Sequence, residues 1–122
     1  MNTTAIGTKA EVRARTWLER CGWACLEQNA RTRFFELDLV MKDGETIVFV
    51  EVKYRKNNDY GGGAGAISRD KQRRLIAGAQ AWLAEKKLWD SPVRFDVMIF
   101  REGASGLKLQ HLKNCLWRDS VW

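Results

Sequence analysis

Thr46-Ile47-Val48-Phe49-Val50-Glu51-Val52-Lys53-Tyr54 is the stretch on which the fold turns. Ile47 to Val50 is apolar at every position and rich in β-branched residues. A strand with one wet face alternates, whereas a strand apolar on both faces belongs in the middle of a covered sheet. Glu51 and Lys53 interrupt this run where burial should be deepest. A buried charge without a partner is expensive, so a counter-charge, a metal or a ligand is expected beside them. Being two apart on a strand, the two side chains share one face.

Working upstream, Phe35, Leu37, Leu39 and Met41 alternate with Glu36, Asp38 and Val40, which predicts a strand over Phe34–Met41. Lys42-Asp43-Gly44-Glu45 reads as a turn, with Asp-Gly its strongest signal. The two runs make an antiparallel hairpin. Asp38 and Glu51 are thirteen positions apart, which suits a four-residue turn, and Glu36 is expected on the face of Asp38. A group of carboxylates with one lysine results.

Before the hairpin, Ala10, Ala14, Trp17 and Cys21 follow helical spacing, with Leu18 beside them, and Gly22 stops the helix. Trp23 to Asn29 reads as a short strand. After the hairpin, Asn57 to Gly65 is a glycine-rich loop. Ser68 is a helix cap with Asp70 in the first turn, and Leu75, Ile76, Ala79, Trp82 and Leu83 form that helix's apolar face. Val93 to Ile99 alternates as a strand, and Glu102 to Gly106 turns into a last strand near Leu107 to Leu112. Helix, strands, helix and strands in this order imply an α/β or α+β sandwich around a mixed sheet. Trp17 and Trp82 are expected in the core.

The chain has 122 residues, the size of one domain, taken as residues 1–122. With 45% hydrophobic and 30% charged residues it reads as globular rather than disordered. It carries no apolar run long enough to span a membrane and no secretory signal pattern, so a cytoplasmic location is expected. Three cysteines, Cys21, Cys25 and Cys115, without an export signal suggest reduced thiols, and their spacing does not suit structural zinc. His111 is the single histidine, which excludes Ser-His-Asp catalysis unless His111 itself serves; its alternation with Leu107 and Leu109 favours a structural role.

The net charge of +6 is unevenly placed. Between Lys53 and Arg74 lie seven basic residues against two acidic ones, close to the whole excess. A localised basic segment is the footprint of a polyanion partner, usually nucleic acid. The chemistry that wants carboxylates and a lysine next to such a segment is metal-assisted phosphodiester hydrolysis. Hard carboxylate oxygens suit Mg²⁺, which keeps several waters of its own, and a neighbouring lysine can orient the attacking water. An E-x-K on a strand is also a common solvated pattern. Its place inside an apolar strand is what favours the site.

The residues also carry a resemblance. Gly7, Ala10-Glu11 and Ala14, Asn29-x-Arg31, Glu36-Leu-Asp38-Leu, Val48-Phe-Val-Glu-Val-Lys53-x-Arg55, Gly61-Gly-Gly-Ala64, Ala66-Ile67, Lys71 and Arg94-Phe-Asp96-Val resemble the bacterial YraN-like family over about residues 5 to 112. That family looks like part of the restriction-endonuclease-like PD-(D/E)xK superfamily, near the archaeal Holliday-junction resolvases. The resemblance implies an α/β core, a mixed central sheet flanked by helices, with the site on a central hairpin. Asp38, Glu51 and the carbonyl of Val52 would hold Mg²⁺ or Mn²⁺. Lys53 would assist the water, and Glu11 would bind a second metal or hold a water. Glu36 would face the site or belong to its outer shell. Arg55, Arg69, Lys71, Arg73 and Arg74 would contact a DNA backbone. Resolvase-like nucleases commonly work as homodimers, although no dimer motif is evident here. One residue departs from the pattern: Phe35 stands where the family usually has glycine, which bears on access to the cleft.

Three readings compete. The chain is a Mg²⁺-dependent endonuclease acting on DNA, with branched or junction DNA as one substrate. Or it is a nucleic-acid-binding module that keeps the fold with weak or no catalysis. Or its basic face serves assembly with a protein partner. Intact Asp38, Glu51 and Lys53 favour the first over the second.

Overall fold

Two glycines set the first half of the chain. Gly22, with φ +93°, ends helix α1 (Thr3–Arg20). The N–H of Trp23 returns to the carbonyl of Leu18 and that of Gly22 to Glu19, so the last carbonyls are satisfied and the chain reverses into β1 (Ala24–Arg31). Gly44, with φ +61°, turns β2 (Glu36–Asp43) into β3 (Thr46–Arg55). Asp43 pairs with Thr46, so the connection is the two residues Gly44 and Glu45, shorter than the four-residue turn expected from the sequence. Positive φ at the first loop position is what a two-residue hairpin demands. Helix α2 (Arg69–Glu85), β4 (Val93–Gly103) and β5 (Gly106–Leu112) complete the order. This computed structural model describes residues 3–33, 35–55 and 68–114, with main chain only for 3–8. The glycine loop at 57–65, Lys56, Cys115, Trp117 and Trp122 lie outside the described residues.

The five strands form one sheet in the order β1-β2-β3-β4-β5. β3 is central, as its two apolar faces require. It pairs antiparallel with β2 and parallel with β4, while the outer pairs are antiparallel, so the sheet is mixed. The parallel step from β3 to β4 is reached through α2, the usual crossover.

Each face carries one helix. On the α2 side, Leu75, Ile76, Ala79, Trp82 and Leu83 pack on Ile47, Phe49, Phe95, Val97 and Ile99. Phe49 stacks on Phe95 with centroids 5.4 Å apart and meets Trp82 edge-on at 5.8 Å. Such pairs add about 0.5–1.5 kcal/mol each to the burial of the rings. On the other side, Ala10, Ala14 and Leu18 lie on Leu39, Met41, Val48, Val50 and Met98. Two alanines in that line let α1 approach the sheet closely. That line also leaves Trp17 outside the core: the buried stripe runs Ala10, Ala14, Leu18, and Trp17 lies at its edge, 50% exposed rather than buried as expected. Trp82 is buried as expected, and its indole N–H donates to Glu27 Oε1 at 2.9 Å. Among the described residues no helix is long and apolar enough to cross a membrane.

One irregularity positions the site. Leu37 and Leu39 are two apart on β2, yet Leu37 packs with the α2 layer and Leu39 with the α1 layer. The strand therefore reverses its faces at Asp38. Its neighbour on β1, Asn29, has φ +55°, the left-handed conformation Asn tolerates better than most residues.

Candidate active site at the fork of the sheet

The ladder between β2 and β3 stops at Leu39 and Val50. Beyond that pair β2 stays with β1, through Leu37 and Glu36, and β3 stays with β4, from Glu51 to Arg55. The two central strands part, and the candidate residues line the opening. Extending the register sets Asp38 opposite Glu51. The Asp38 side chain fills the gap: its Oδ2 accepts the N–H of Val52 at 2.9 Å.

Glu51 is 3% exposed. Its Oε1 meets Lys53 Nζ at 3.2 Å and Lys71 Nζ at 3.1 Å. Lys53 shares the β3 face of Glu51, as the two-residue spacing predicts. Lys71 comes from the first turn of α2, whose start is fixed by Ser68, the cap whose Oγ accepts the N–H of Lys71. Glu51 Oε2 and Glu11 Oε1 are both buried, and neither has a hydrogen-bond partner among the described residues.

The charges of this cluster act on one another. Burial and the charge of Glu51, with a smaller push from Glu11, raise Asp38 to about 8, against the pull of the Val52 N–H and Lys53. Burial likewise raises Glu11, helped by the charges of Glu36 and Glu51, while Asn29 and Asp38 within hydrogen-bonding reach oppose it. Burial lowers Lys53 below its ordinary 10.5, and the neighbouring Lys71 adds to the fall. Burial also acts downward on Lys71, but its contacts with Lys53 and Glu51 outweigh this and hold its ammonium above 10.5. Raised carboxyls beside a lowered lysine are what burial does to charged groups of both signs, and such clusters are candidates for functional sites.

Glu11, Asp38, Glu51, Lys53 and Lys71 thus come together from α1, β2, β3 and α2. Glu36 does not join them. Because the strand reverses at Asp38, its side chain is half exposed and lies 3.9 Å from Arg31, reaching the cluster only as a charge felt by Glu11. Arg55 ends β3 and donates to the carbonyl of Tyr54. Arg69, Arg73 and Arg74 stand exposed on α2, with Arg74 3.5 Å from Asp70.

Among the described residues no three His, Cys, Asp or Glu side chains converge to hold a metal by themselves. The set that fits an ion here is smaller: two carboxylates, Asp38 and Glu51, with the carbonyl of Val52. Mg²⁺ takes one or two carboxylates and fills its shell with water. The two orphaned oxygens, Glu51 Oε2 and Glu11 Oε1, are acceptors that a divalent cation with its waters would satisfy.

Asn29 and Asp96 take roles that involve contacts between elements. Asn29 bends β1 and reaches Glu11. Asp96, on β4, is 0% exposed. It accepts from Arg94 Nε at 3.0 Å and from the Asn114 N–H at 2.9 Å, and it pairs with His111 Nε2 at 2.8 Å. Arg94 also lies over the Trp23 ring. This is a structural tie between β4, β5 and the chain beyond. The signal for it was present: Asp96 is a charge inside an apolar strand, just as Glu51 is. His111 has the structural role its alternation suggested.

A mixed five-stranded sheet with a helix on each face, its central strands parted at Asp38 and Glu51, is an α/β fold consistent with a restriction-endonuclease-like core. Residues 10–100 match the profile described as Uncharacterised protein family UPF0102, and the chain belongs to that family. It is similar to a UPF0102 protein of Vibrio campbellii, 41% identical over 113 residues, 91% of each chain. It is similar to one of Serratia proteamaculans, 40% identical over 121 residues, covering 98% of this chain and all of the relative. The UPF0102 protein YraN of Salmonella arizonae is 45% identical over 96 residues, 77% of this chain and 73% of the relative.

Proposed function

We propose that this chain is a Mg²⁺- or Mn²⁺-dependent endonuclease that hydrolyses phosphodiester bonds of DNA, with branched or junction DNA among its substrates. The observation that carries the reading is the buried carboxylate cluster at the fork: Glu51 Oε2 and Glu11 Oε1 without hydrogen-bond partners among the described residues, beside an Asp38 that burial and the charge of Glu51 raise to about 8.

Asp38 and Glu51, with the Val52 carbonyl, hold the ion. An ion held there would supply polarisation of a phosphoryl oxygen and a more acidic bound water. Lys53, lowered below its ordinary 10.5, sits 3.2 Å from Glu51 Oε1 and is placed to orient the attacking water and offset negative charge as it develops. Glu11 reaches Asp38 from α1 and holds a water or a second ion. Arg55, Arg69, Arg73 and Arg74 contact phosphates beside the cleft, which gives affinity without base identity.

The test uses linear, nicked and four-way-junction DNA with Mg²⁺, Mn²⁺ or EDTA. The wild-type chain is compared with Asp38→Ala and Lys53→Ala. Cleavage that needs the metal and disappears in both variants is expected. Binding without cleavage in any metal leaves a nucleic-acid-binding module, and no binding at low salt overturns both.

A further inference from the structure

Glu51 Oε1 receives two ammonium groups while Oε2 receives none. The two lysines are not equivalent. Lys53 stands on the same strand as Glu51, and its side chain is 13% exposed. Lys71 reaches in from α2, is 28% exposed, and lies at the mouth of the cluster with its Nζ 6.0 Å from the centre of the Phe35 ring. Its position also runs against helix electrostatics, since a cation in the first turn meets the positive end of the helix dipole. Helix stability therefore does not explain a lysine at this position, and its ion pair with Glu51 does.

A compact ammonium on a flexible four-carbon stem is suited to leaving one anion for another. An ion taking the open Oε2 of Glu51 would bring two further positive charges to a carboxylate that already holds two ammonium groups on Oε1, and would repel the more exposed of them, Lys71. We infer that Lys71 is the exchangeable counter-cation of Glu51: it gives up Oε1 when a divalent ion loads, and its freed ammonium then binds a phosphate of the nucleic acid. The inference rests on reading the fork as a metal site and adds how that site is regulated. Metal loading and phosphate binding are coupled through one side chain. Lys53, tied to the strand, stays behind for the water.

The experiment titrates Mn²⁺ into the full-length protein, followed by electron paramagnetic resonance, for wild type, Lys71→Met, Lys71→Arg and Asp38→Asn. Fluorescent four-way-junction DNA is then bound with Ca²⁺ and with EDTA. Lys71→Met is expected to bind Mn²⁺ at least about fivefold more tightly, the lower end of ordinary site-to-site coupling. It should also lose the gain in DNA affinity that Ca²⁺ gives the wild type, and Lys71→Arg should restore both toward wild type. Circular dichroism checks that each variant is folded. Mn²⁺ affinity unchanged or weaker in Lys71→Met overturns the exchange, as does an equal loss of DNA affinity in Ca²⁺ and EDTA. If Asp38→Asn abolishes Mn²⁺ binding in those cases, the metal site itself stands. If wild type and Asp38→Asn bind Mn²⁺ alike, the metal-site reading fails and the exchange falls with it.

Discussion

The carboxylate of Asp38 accepts the N–H of Val52 at 2.9 Å, two residues past the last ladder pair, where the register would have set Val52 against Leu37. A side chain has replaced a strand carbonyl, and that replacement keeps the fork open without leaving the Val52 N–H bare. Asp38→Ala removes the acceptor and is expected to cost about 1–3 kcal/mol, the usual penalty for a buried group left unpaired. Asp38→Asn keeps an acceptor and removes the charge that Glu51 and Glu11 repel. It should be at least as stable as wild type at pH 8 while losing metal-dependent cleavage. Urea denaturation of the two variants at pH 8 checks this; equal losses in both would mean that the hydrogen bond is not what holds the fork.

The same carboxyl predicts how stability follows pH. Asp38 is raised from 3.8 to about 8 in the fold, so between those values the folded chain keeps a proton that the unfolded chain has released. Stability should therefore fall as pH rises from about 4 to about 8 and level off beyond, with Glu11 acting in the same direction. Asp96 has the opposite sign. Burial acts upward on it, but the bonds from His111, Arg94 and Asn114 prevail and hold it below 3.8, so its contribution is lost only as pH falls beneath that value. The melting temperature should peak in mild acid. Calorimetry from pH 4 to 9 should find the decline toward pH 8 flattened in Asp38→Asn; an unchanged decline would assign it to another group.

Gly78 lies inside α2, where glycine is ordinarily less stable than alanine by about 0.5–1 kcal/mol. A Cβ there would sit 3.1 Å from Phe35 Cβ and 3.2 Å from Thr32 Oγ1. Neither neighbour yields easily, because the Thr32 hydroxyl is itself bonded to the Phe35 main chain at both N–H and carbonyl. Gly78→Ala should destabilise by about 1 kcal/mol or more, as overpacking does. A stabilised Gly78→Ala in urea would show that Phe35 does not seat α2.

Arg69, Arg73 and Arg74 are exposed on α2, within three residues of Lys71, the helix residue that reaches Glu51. If they meet phosphates, replacing all three by alanine should make the fall of log affinity with log salt shallower by about one unit per lost contact. Fluorescence anisotropy on one DNA across a salt series measures that slope. An unchanged slope would remove these arginines from the interface.

Much of this was legible in the residues. The two-faced apolar run marked β3 as central, and Glu51 and Lys53 shared a face because strand geometry leaves no alternative. Gly22 and Ser68 closed and opened their helices as their chemistry predicts. What escaped depended on contacts between elements. The reversal at Asp38 lies beside Asn29, which is left-handed on the neighbouring strand, and simple alternation therefore misplaced Glu36. Asp96 passed for the polar side of a strand because its partners come from β5 and beyond. Trp17 is left half exposed at the edge of the stripe Ala10, Ala14, Leu18, a choice among helix positions that spacing alone could not rank. The grip of Lys71 on Glu51 depends on how α2 lies across the sheet.

The central claim is that the fork holds a divalent cation between Asp38 and Glu51. Crystals of the protein grown with Mn²⁺ and measured for anomalous scattering test it most directly. The account predicts a strong peak in contact with both carboxylates and the Val52 carbonyl, with Lys71 withdrawn from Glu51 Oε1. Full Mn²⁺ saturation with no peak at the fork, and both lysines still on Glu51, would contradict it.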